Sequence, residues 1–337
     1  MASSNTPPVI LYHYPGSPYA DRVTSTLALK QIQYSQCLQP PILPRPDLAT
    51  LGVRYRRIPV LSIGRDIYLD SRLIVDKLSA FRPSSPATPE QRAIERLLRT
   101  WTTSTELFAT ASMLLPLDNP MMNDPVFLRD RADLLGGKDR LSRETRAAAR
   151  PQAIIAMRAL LEFLETTLLG EGRTWALGSE GPSAADVEAV WLLRWVTASP
   201  GGLDGTGIDQ TSFPKVFAWI DRFGDAVKAA RKCPSGKPST ISGEQAAAMI
   251  VEAPYNDAEG EVDESDPVAQ ALGLRKGQLV QLCPTDYGST HKDEGKLISL
   301  SSGEITIETV TAGGATVRLH APRQGFRVAP VKAQTKI

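Results

Sequence analysis

The chain has 337 residues, which exceeds one average domain and predicts two or three structural units. Its 38 Lys and Arg residues balance 37 Asp and Glu residues, so the formal net charge of +1 argues against nucleic acid or an anionic membrane as a partner. The three cysteines form no CxxC pair, which argues against a disulfide framework and a Cys-rich metal site. With no basic leader and no apolar stretch near the ~20 residues of a membrane span, we expect a soluble, cytoplasmic protein.

The N-terminal part alternates strand and helix signals. A short apolar run ends at Pro15-Gly16, as a buried strand meeting a turn would. Pro18 suits the first turn of a helix, whereas the proline-dense loop at residues 39–46 admits no regular element. In chain order, the predicted elements are a strand at 9–12, a helix from Pro18, a candidate strand at 33–38, a β-hairpin at 60–69 and a helix from Ser71.

The middle of the chain is predicted to be helical. A Pro- and Ser-rich break at residues 81–87 predicts a linker between two domains. Thr88-Pro89-Glu90-Gln91 then has the pattern of a capping box at a helix start. Long amphipathic runs follow near residues 90–114, 143–169, 184–197 and 213–231, which predicts an all-helical domain over 88–233.

The C-terminal part changes character again. Residues 234–266 are rich in Pro, Ser, Gly, Asp and Glu around a short Ala-rich segment, and this composition predicts a second linker. Residues 267–337 are predicted to form a small SH3-like or OB-like barrel that is independent of the helical domain. Its strands are expected at Leu279–Cys283, Gly295–Leu300, Glu304–Thr309, Thr316–His320 and Phe326–Val331.

Three separated patterns carry a family resemblance. The first is Ser17-Pro18-Tyr19-Ala20, directly after the first strand. The second is Arg57-Ile58-Pro59-Val60-Leu61, followed by Asp70-Ser71, and the third is Gly181-Pro182-Ser183-Ala184-Ala185-Asp186, followed by Phe213-Pro214. Together they resemble the glutathione transferase superfamily of the cytosolic type over residues 9–231. Residues 43–48 and the additional β domain resemble a fungal-like subgroup of that family.

The resemblance implies both a fold and a catalytic residue. The fold is a thioredoxin-like α/β domain over residues 1–82 and an all-α glutathione-transferase domain, with the small barrel appended. Ser17 stands where Ser-type members carry their catalytic residue, so its hydroxyl is expected to donate a hydrogen bond to the thiolate of glutathione. The positive end of the helix from Pro18 acts in the same direction. Tyr12, Tyr14 and Tyr19 are rivals for this role, and a simple helix N-cap is the ordinary role of Ser17.

Further residues are expected to hold glutathione. In the family the matching proline follows a cis bond, so Ile58–Pro59 is expected to be cis, with the main chain of Ile58 binding the ligand as an added strand. Asp70 and Ser71 are expected to bind the γ-glutamyl ammonium and carboxylate groups, in addition to capping a helix. The glycyl carboxylate needs a cation, and the candidates are Arg45, Arg54, Arg56 and Arg57. Of these, Arg45 and Arg57 are retained as the expected glutathione-binding arginines.

Two functions of different classes stay open. The first is a transferase that activates glutathione for conjugation to an apolar electrophile, or for its thiol-assisted isomerisation or elimination, for instance in specialised metabolism. The second is a catalytically inactive scaffold or regulator whose barrel binds a partner. A homodimer is expected in either case. The histidines occur singly, so no metal is predicted.

Overall fold

The computed structural model describes residues 6–82, 87–137 and 140–331, with the side chain of Thr105 excepted. The N-terminal strands and helices occur in the predicted order, and a short helix follows the proline-dense loop. Apolar side chains of the strands and of the first and third helices form a core between sheet and helices, which includes Leu11, Val23 and Ile74. The elements are β1 (Val9–His13), α1 (Pro18–Leu29), β2 (Ser35–Leu38), α2 (Pro46–Thr50), β3 (Val60–Ile63), β4 (Asp66–Leu69) and α3 (Ser71–Phe81).

Helices form over the predicted segments, with the run at 90–114 divided into two helices and with one further helix, α6, that was not predicted. The expected capping box forms at Thr88, and a second one forms at Ser183. Asp186 is fully buried because its carboxylate accepts hydrogen bonds from Ser183 N and from the indole of Trp219, each at 2.8 Å. None of the helices in the described ranges has the length and apolar character needed to cross a membrane. The helices are α4 (Pro89–Thr102), α5 (Thr105–Ser112), α6 (Pro125–Leu134), α7 (Arg143–Phe163), α8 (Ala184–Thr197) and α9 (Pro214–Lys232).

The prediction that residues 234–266 form only a linker is wrong. This segment contains β5 (Ser239–Thr240), which pairs with β2, and helix α10 (Gly243–Glu252). Ser242 caps α10 through a capping box, and Ile250 is fully buried in the core that β1 and the C-terminal strands share. The Ala-rich segment therefore folds because its apolar face has a core to cover.

The C-terminal strands form where they were predicted, after a short helix α11 (Pro267–Leu272). They are antiparallel neighbours in the order β10-β6-β7-β8-β9, so that the last strand lies beside the first. Their bounds are β6 (Leu279–Pro284), β7 (Asp293–Leu300), β8 (Glu304–Val310), β9 (Thr316–Pro322) and β10 (Phe326–Pro330).

The prediction of a small separate barrel is nevertheless not confirmed. β9 pairs in parallel with β4, so the strands of the described residues form one ten-stranded sheet. Within the described residues, no ladder joins β9 to β10 and closes the five strands. A common core contains Ile10 of β1 together with Val280 and Ile307. The physical reason is that β4 would otherwise be an edge with unpaired backbone groups, and β9 covers it.

Candidate active site

The N-terminal strands bring the expected site residues to one edge of the sheet. Tyr12 of β1 is in register with Val60 of β3, and Val60 is in register with Leu69 of β4. Because β1 and β4 are both antiparallel to β3, they run in the same direction, and α1 and α3 both begin beyond the same edge. The residues there are Ser17, Ile58, Pro59, Asp70 and Ser71, and we refer to this edge as the helix-start edge.

Ser17 is the N-cap residue of α1. Its side-chain oxygen accepts a hydrogen bond from Ala20 N at 3.3 Å, and only 3% of the residue is exposed. Pro18 occupies the first turn, where its missing N–H costs nothing. A hydroxyl that accepts in this way keeps its own proton for another acceptor. Ser17 therefore caps the helix and can still donate to an anion at the positive helix end.

Tyr12 lies on the other face of the sheet. It packs in the core with Cys37 and Leu48, whereas the preceding residue, Leu11, packs with Val23 of α1. Burial, above all, raises the pKa of Tyr12, and its hydroxyl has no hydrogen-bond partner among the described residues. The sheet thus separates this hydroxyl from the face that α1 covers.

The other two tyrosines have packing roles. Tyr14 is half-buried against the same core as Tyr12, although its carbonyl accepts a hydrogen bond from Ser17 N at 3.4 Å. The ring of Tyr19 lies 5.1 Å from Phe108 and 4.8 Å from Trp191, measured between centroids. Burial raises the pKa of Tyr19. Tyr19 therefore joins the start of α1 to the helical domain.

Asp70 is the N-cap residue of α3, with a φ of 69°. Its carboxylate accepts hydrogen bonds from Arg72 N at 2.9 Å and from the Arg72 guanidinium at 2.9 and 3.0 Å. Burial by itself raises the pKa of Asp70, but the charges of Arg72 and Arg57 outweigh it and hold the pKa below its usual range. The helix-start edge therefore carries an ionised carboxylate that Arg72 binds and that the charge of Arg57 further stabilises.

Ser71 connects the helix-start edge to the helical domain. Its hydroxyl oxygen accepts a hydrogen bond from Arg22 Nη1 at 2.9 Å. Arg22 is fully buried and forms an ion pair with Glu188 of α8 at 2.5 Å, and Glu188 also pairs with Arg99 at 2.9 Å. Because Arg22 lies on α1, this network fixes the starts of α1 and α3 against each other.

The peptide bond between Ile58 and Pro59 is cis, as the resemblance implied. Ile58 is 8% exposed, and only Pro59 separates it from the start of β3. Its main chain therefore lies at the helix-start edge.

The two retained arginines differ in their surroundings. Arg45 donates to the carbonyls of Pro40 and Pro41 at 3.1 and 3.2 Å, so it holds its own loop together. Burial lowers the pKa of Arg45 to about 10. Arg57 is next to Ile58, and its charge lowers the pKa of Asp70. Arg57 therefore shares an electrostatic environment with the helix-start edge.

Sequence reasoning missed several side chains at this edge. Arg22 and Arg72 bind Ser71 and Asp70 directly, and their positions on α1 and α3 gave the only available signal. Asp286 and the carbonyl of Tyr287 bind the guanidinium of Arg57, although they are more than 200 residues away in sequence. Nothing in the local pattern around Asp286 indicates this contact.

A groove of about 600 Å³ lies between the loop around α2 and the start of β7. Of the expected site residues it contains Arg45, but neither Ser17 nor Asp70. Its other lining residues include Arg54, His291 and Lys292, so its walls carry several basic side chains. The groove is therefore a neighbour of the helix-start edge and does not coincide with it.

A second cluster of charges lies where β4 meets β9, and we call it the β4–β9 seam (Asp66, Lys77, Asp257, Glu304 and His320). Ligand atoms of Asp257, Glu304 and His320 lie within 4.8 Å of one another, which is the composition of a metal site. Lys77 Nζ contacts Asp257 and lies 2.9 Å from Glu304. An ammonium group therefore already neutralises the carboxylates that would bind a cation.

Comparison with known families gives two matches along the chain. Residues 11–86 match the family model "Glutathione S-transferase, N-terminal domain". Residues 110–232 match a model described as a domain of unknown function, DUF7962. Among curated proteins, glutathione S-transferase U1 of Arabidopsis thaliana is 25% identical over 220 residues, which cover 64% of this chain and 84% of that protein.

Solved structures share the fold. A GST-like protein from Pseudomonas syringae is 23% identical, with a TM-score of 0.67, and the likeness covers 96% of this chain and 99% of that one. It therefore extends over the C-terminal strands. The beta-etherase LigF from Sphingobium sp. strain SYK-6 is 18% identical, with a TM-score of 0.50, and the likeness covers 66% of this chain and 98% of that one. The family model over residues 11–86 and the curated relative thus show that this chain is similar to proteins of the glutathione transferase superfamily.

Proposed function

We propose that this protein is a Ser-type glutathione transferase that binds glutathione at the helix-start edge and activates its thiol. The observation that carries the proposal is the buried hydroxyl of Ser17 at the N-terminus of α1, on the same edge as Asp70 and Ser71. Glutathione is a known ligand in this superfamily, and one solved relative is described with glutathione bound.

The chemistry requires a thiolate. An unperturbed thiol has a pKa of about 8.5, so glutathione is mostly protonated at neutral pH and is a poor nucleophile. A hydrogen bond from Ser17 to the charged sulfur contributes about 1.5–3 kcal/mol, which lowers the thiol pKa by roughly one to two units. The positive end of α1 favours the same anion. Ser17 is therefore the proposed catalytic residue.

The two ends of glutathione find complementary charges. The γ-glutamyl ammonium group suits the ionised carboxylate of Asp70, and the adjacent carboxylate suits the Ser71 hydroxyl and the free N–H groups at the start of α3. The main chain of Ile58 supports the cysteinyl residue as an added strand. Arg57 is the proposed cation for the glycyl carboxylate, because it is adjacent to Ile58 and its side chain is 21% exposed, whereas Arg45 is buried.

The proposed second substrate is an apolar electrophile. In conjugation the thiolate sulfur forms a bond to an electrophilic carbon, and the leaving group departs with the electron pair of its own bond. In isomerisation or elimination the sulfur is expelled again. Phe108 and Trp195 stack with centroids 5.4 Å apart beside Tyr19, near the start of α1, and favour an aromatic or apolar ligand.

A homodimer in the cytoplasm is part of the proposal. Leu97 of α4 and Phe163 of α7 are 69% and 44% exposed, and such apolar side chains are typical of a protein contact surface. The second candidate is a scaffold that binds a partner through the C-terminal strands. It is the weaker one, because apolar side chains of these strands are already buried in the core shared with β1.

Calorimetric binding of glutathione, together with its conjugation to 1-chloro-2,4-dinitrobenzene, tests the proposal. We expect binding in the millimolar range or tighter, with product formation above the uncatalysed rate. Binding without turnover, against this electrophile and against a panel of α,β-unsaturated ketones and aryl ethers, would support the inactive scaffold. A lack of binding in the millimolar range would contradict the glutathione site itself.

A further inference from the structure

The loop between β6 and β7 reaches from the C-terminal sheet to the helix-start edge. Its Tyr287 carbonyl accepts a hydrogen bond from Arg57 Nε at 2.9 Å, and the carboxylate of Asp286 forms an ion pair with the same guanidinium. Arg57 is adjacent to Ile58, whose main chain is proposed to hold glutathione. The β6–β7 loop therefore contacts a residue of the proposed glutathione site.

The loop is fixed at both sides of this contact. Gly288 N donates to the carbonyl of Leu134 of α6 at 2.8 Å, and His291 lies 2.8 Å from Asp133 of the same helix. Gly288 has a φ of 72°, and a Cβ there would come within 3.0–3.2 Å of the Arg56 side chain. The loop therefore packs against both the N-terminal and the helical part, and Asp286 has a defined position.

The contact between Arg57 and Asp286 is open to exchange. The side chains are 21% and 37% exposed, so solvent and small ligands reach the pair. Arg57 keeps its hydrogen bonds to the Tyr287 carbonyl when Asp286 is replaced, because those bonds involve the main chain. A change at Asp286 therefore removes the negative charge beside Arg57 and alters the position of Arg57 less.

We propose that Asp286 is a specificity-determining residue that competes with the glycyl carboxylate of the bound thiol for Arg57. The inference rests on the proposed glutathione site. A carboxylate is the group that an arginine fork binds best, and Asp286 already supplies one. An anionic glycyl end has to displace Asp286 from Arg57 or lie beside a second negative charge. A neutral glycyl end avoids both the displacement and the repulsion. Asp286 thus reduces the preference of the site for thiols whose glycyl end carries a free carboxylate over thiols whose glycyl end is neutral.

The test compares Asp286→Asn with wild type against two ligands. Glutathione has the free glycyl carboxylate, and its glycyl monoethyl ester does not. In wild type we expect the two ligands to bind with similar affinity. In Asp286→Asn we expect glutathione to bind about fivefold more tightly, which is about 1 kcal/mol, with the ester unchanged. Asp225→Asn is the matched control, because it removes the same charge from an exposed pair on α9.

A double variant assigns the effect to Arg57. Adding Arg57→Met to Asp286→Asn is expected to abolish the fivefold gain for glutathione and again leave the ester unaffected. Weaker binding of both ligands to Asp286→Asn would overturn the proposal, because Asp286 would then be a positioning residue for Arg57. Unchanged ligand selectivity would overturn it as well. If wild type and variants bind neither ligand at millimolar concentration, the proposed glutathione function fails together with this inference. If they bind both ligands and Asp286→Asn discriminates between them no more than wild type does, only this inference fails.

Discussion

The helix-start edge and the β4–β9 seam both contain buried charged or polar groups, but their groups are paired differently. At the seam, His320 lies between two carboxylates, with Nε2 2.8 Å from Asp66 and Nδ1 2.5 Å from Glu304. At the helix-start edge, Ser17 has a hydroxyl proton to give, and Asp70 is an ionised carboxylate beside the partly exposed Arg72. Closed networks hold elements together, whereas groups with remaining hydrogen-bonding capacity can accept a ligand.

The difference follows from what each region connects. The seam joins β4 to a strand that is about 250 residues later in sequence, and its charges compensate one another across that contact. The helix-start edge joins two helix N-termini, whose backbone N–H groups point beyond the sheet. We therefore expect changes at the seam to alter stability and changes at the edge to alter glutathione binding.

The largest expected effect is the loss of stability in Asp66→Ala, which removes one carboxylate of the β4–β9 seam. Asp66 is fully buried and accepts hydrogen bonds from Asn256 N at 2.6 Å and Asp257 N at 2.8 Å, in addition to binding His320. Removing one member of a buried charge network typically lowers the free energy of unfolding by about 3–5 kcal/mol. Urea denaturation measures this change.

Asp225→Asn again provides the control for Asp66→Ala, with an expected change within about 0.5 kcal/mol. Under conditions in which Asp66→Ala stays folded, its affinity for glutathione should change less than about twofold. A stability loss below about 1 kcal/mol would mean that the seam does not hold the sheet together.

A smaller effect, on glutathione affinity and not on stability, is expected for Asp70→Asn. Asparagine keeps the oxygen that accepts from Arg72 N and tolerates a positive φ, so the free energy of unfolding should change by less than about 1 kcal/mol. Glutathione affinity should fall about tenfold, or about 1.4 kcal/mol, because the charge for its ammonium group is lost. Calorimetry and urea denaturation of the same preparation separate the two quantities.

For Asp70→Asn, Ser242→Ala is a matched cap variant away from the edge, since it weakens the N-cap of α10 without touching the helix-start edge. It should lower stability by about 1 kcal/mol and leave glutathione affinity unchanged. If Asp70→Asn behaves like Ser242→Ala, Asp70 is only a cap.

The smallest expected effect is a pH dependence of stability from His320. Burial by itself lowers the pKa of His320, but the hydrogen bonds with Asp66 and Glu304 outweigh it and raise the pKa above its ordinary value. A raised folded-state pKa gives a stability contribution that is complete below the unfolded value of about 6.5 and is lost as pH rises through the folded value. Wild type should therefore lose stability relative to His320→Gln on the alkaline side of pH 6.5.

Urea denaturation at several pH values from 6 to 9 measures this difference. The variant is needed because Asp293, whose pKa burial raises to about 7, gives wild type a slope of the same sign. In His320→Gln the Asp293 contribution remains and the His320 contribution is absent. Parallel stability curves for the two proteins would show that His320 keeps its ordinary pKa.

The sequence predicted what depends on short stretches of chain. Proline at a helix start, the cap at Ser17 and the cap at Asp70 are local signals, and all three are found in the structure. The five C-terminal strands were also predictable, because alternation of apolar residues and turn residues is local. The fungal-like subgroup, the homodimer and the roles of the site residues stay predictions.

What the sequence did not predict depends on contacts between distant residues. The pairing of β9 with β4 and the contact of Asp286 with Arg57 join segments more than 200 residues apart, and neither leaves a periodic pattern. Helix α10 was hidden by the Pro- and Ser-rich composition around it, although its capping box at Ser242 and Gln245 was visible in principle.

The central claim is that Ser17 activates the thiol, and a spectroscopic titration of the thiolate in the bound complex tests it most directly. Wild type and Ser17→Ala are saturated with glutathione, and thiolate absorbance is followed as a function of pH. We predict that Ser17→Ala raises the pKa of the bound thiol by roughly one to two units and slows turnover at neutral pH about 10- to 100-fold, with little change in affinity. The same pKa and the same turnover in both proteins would contradict the account.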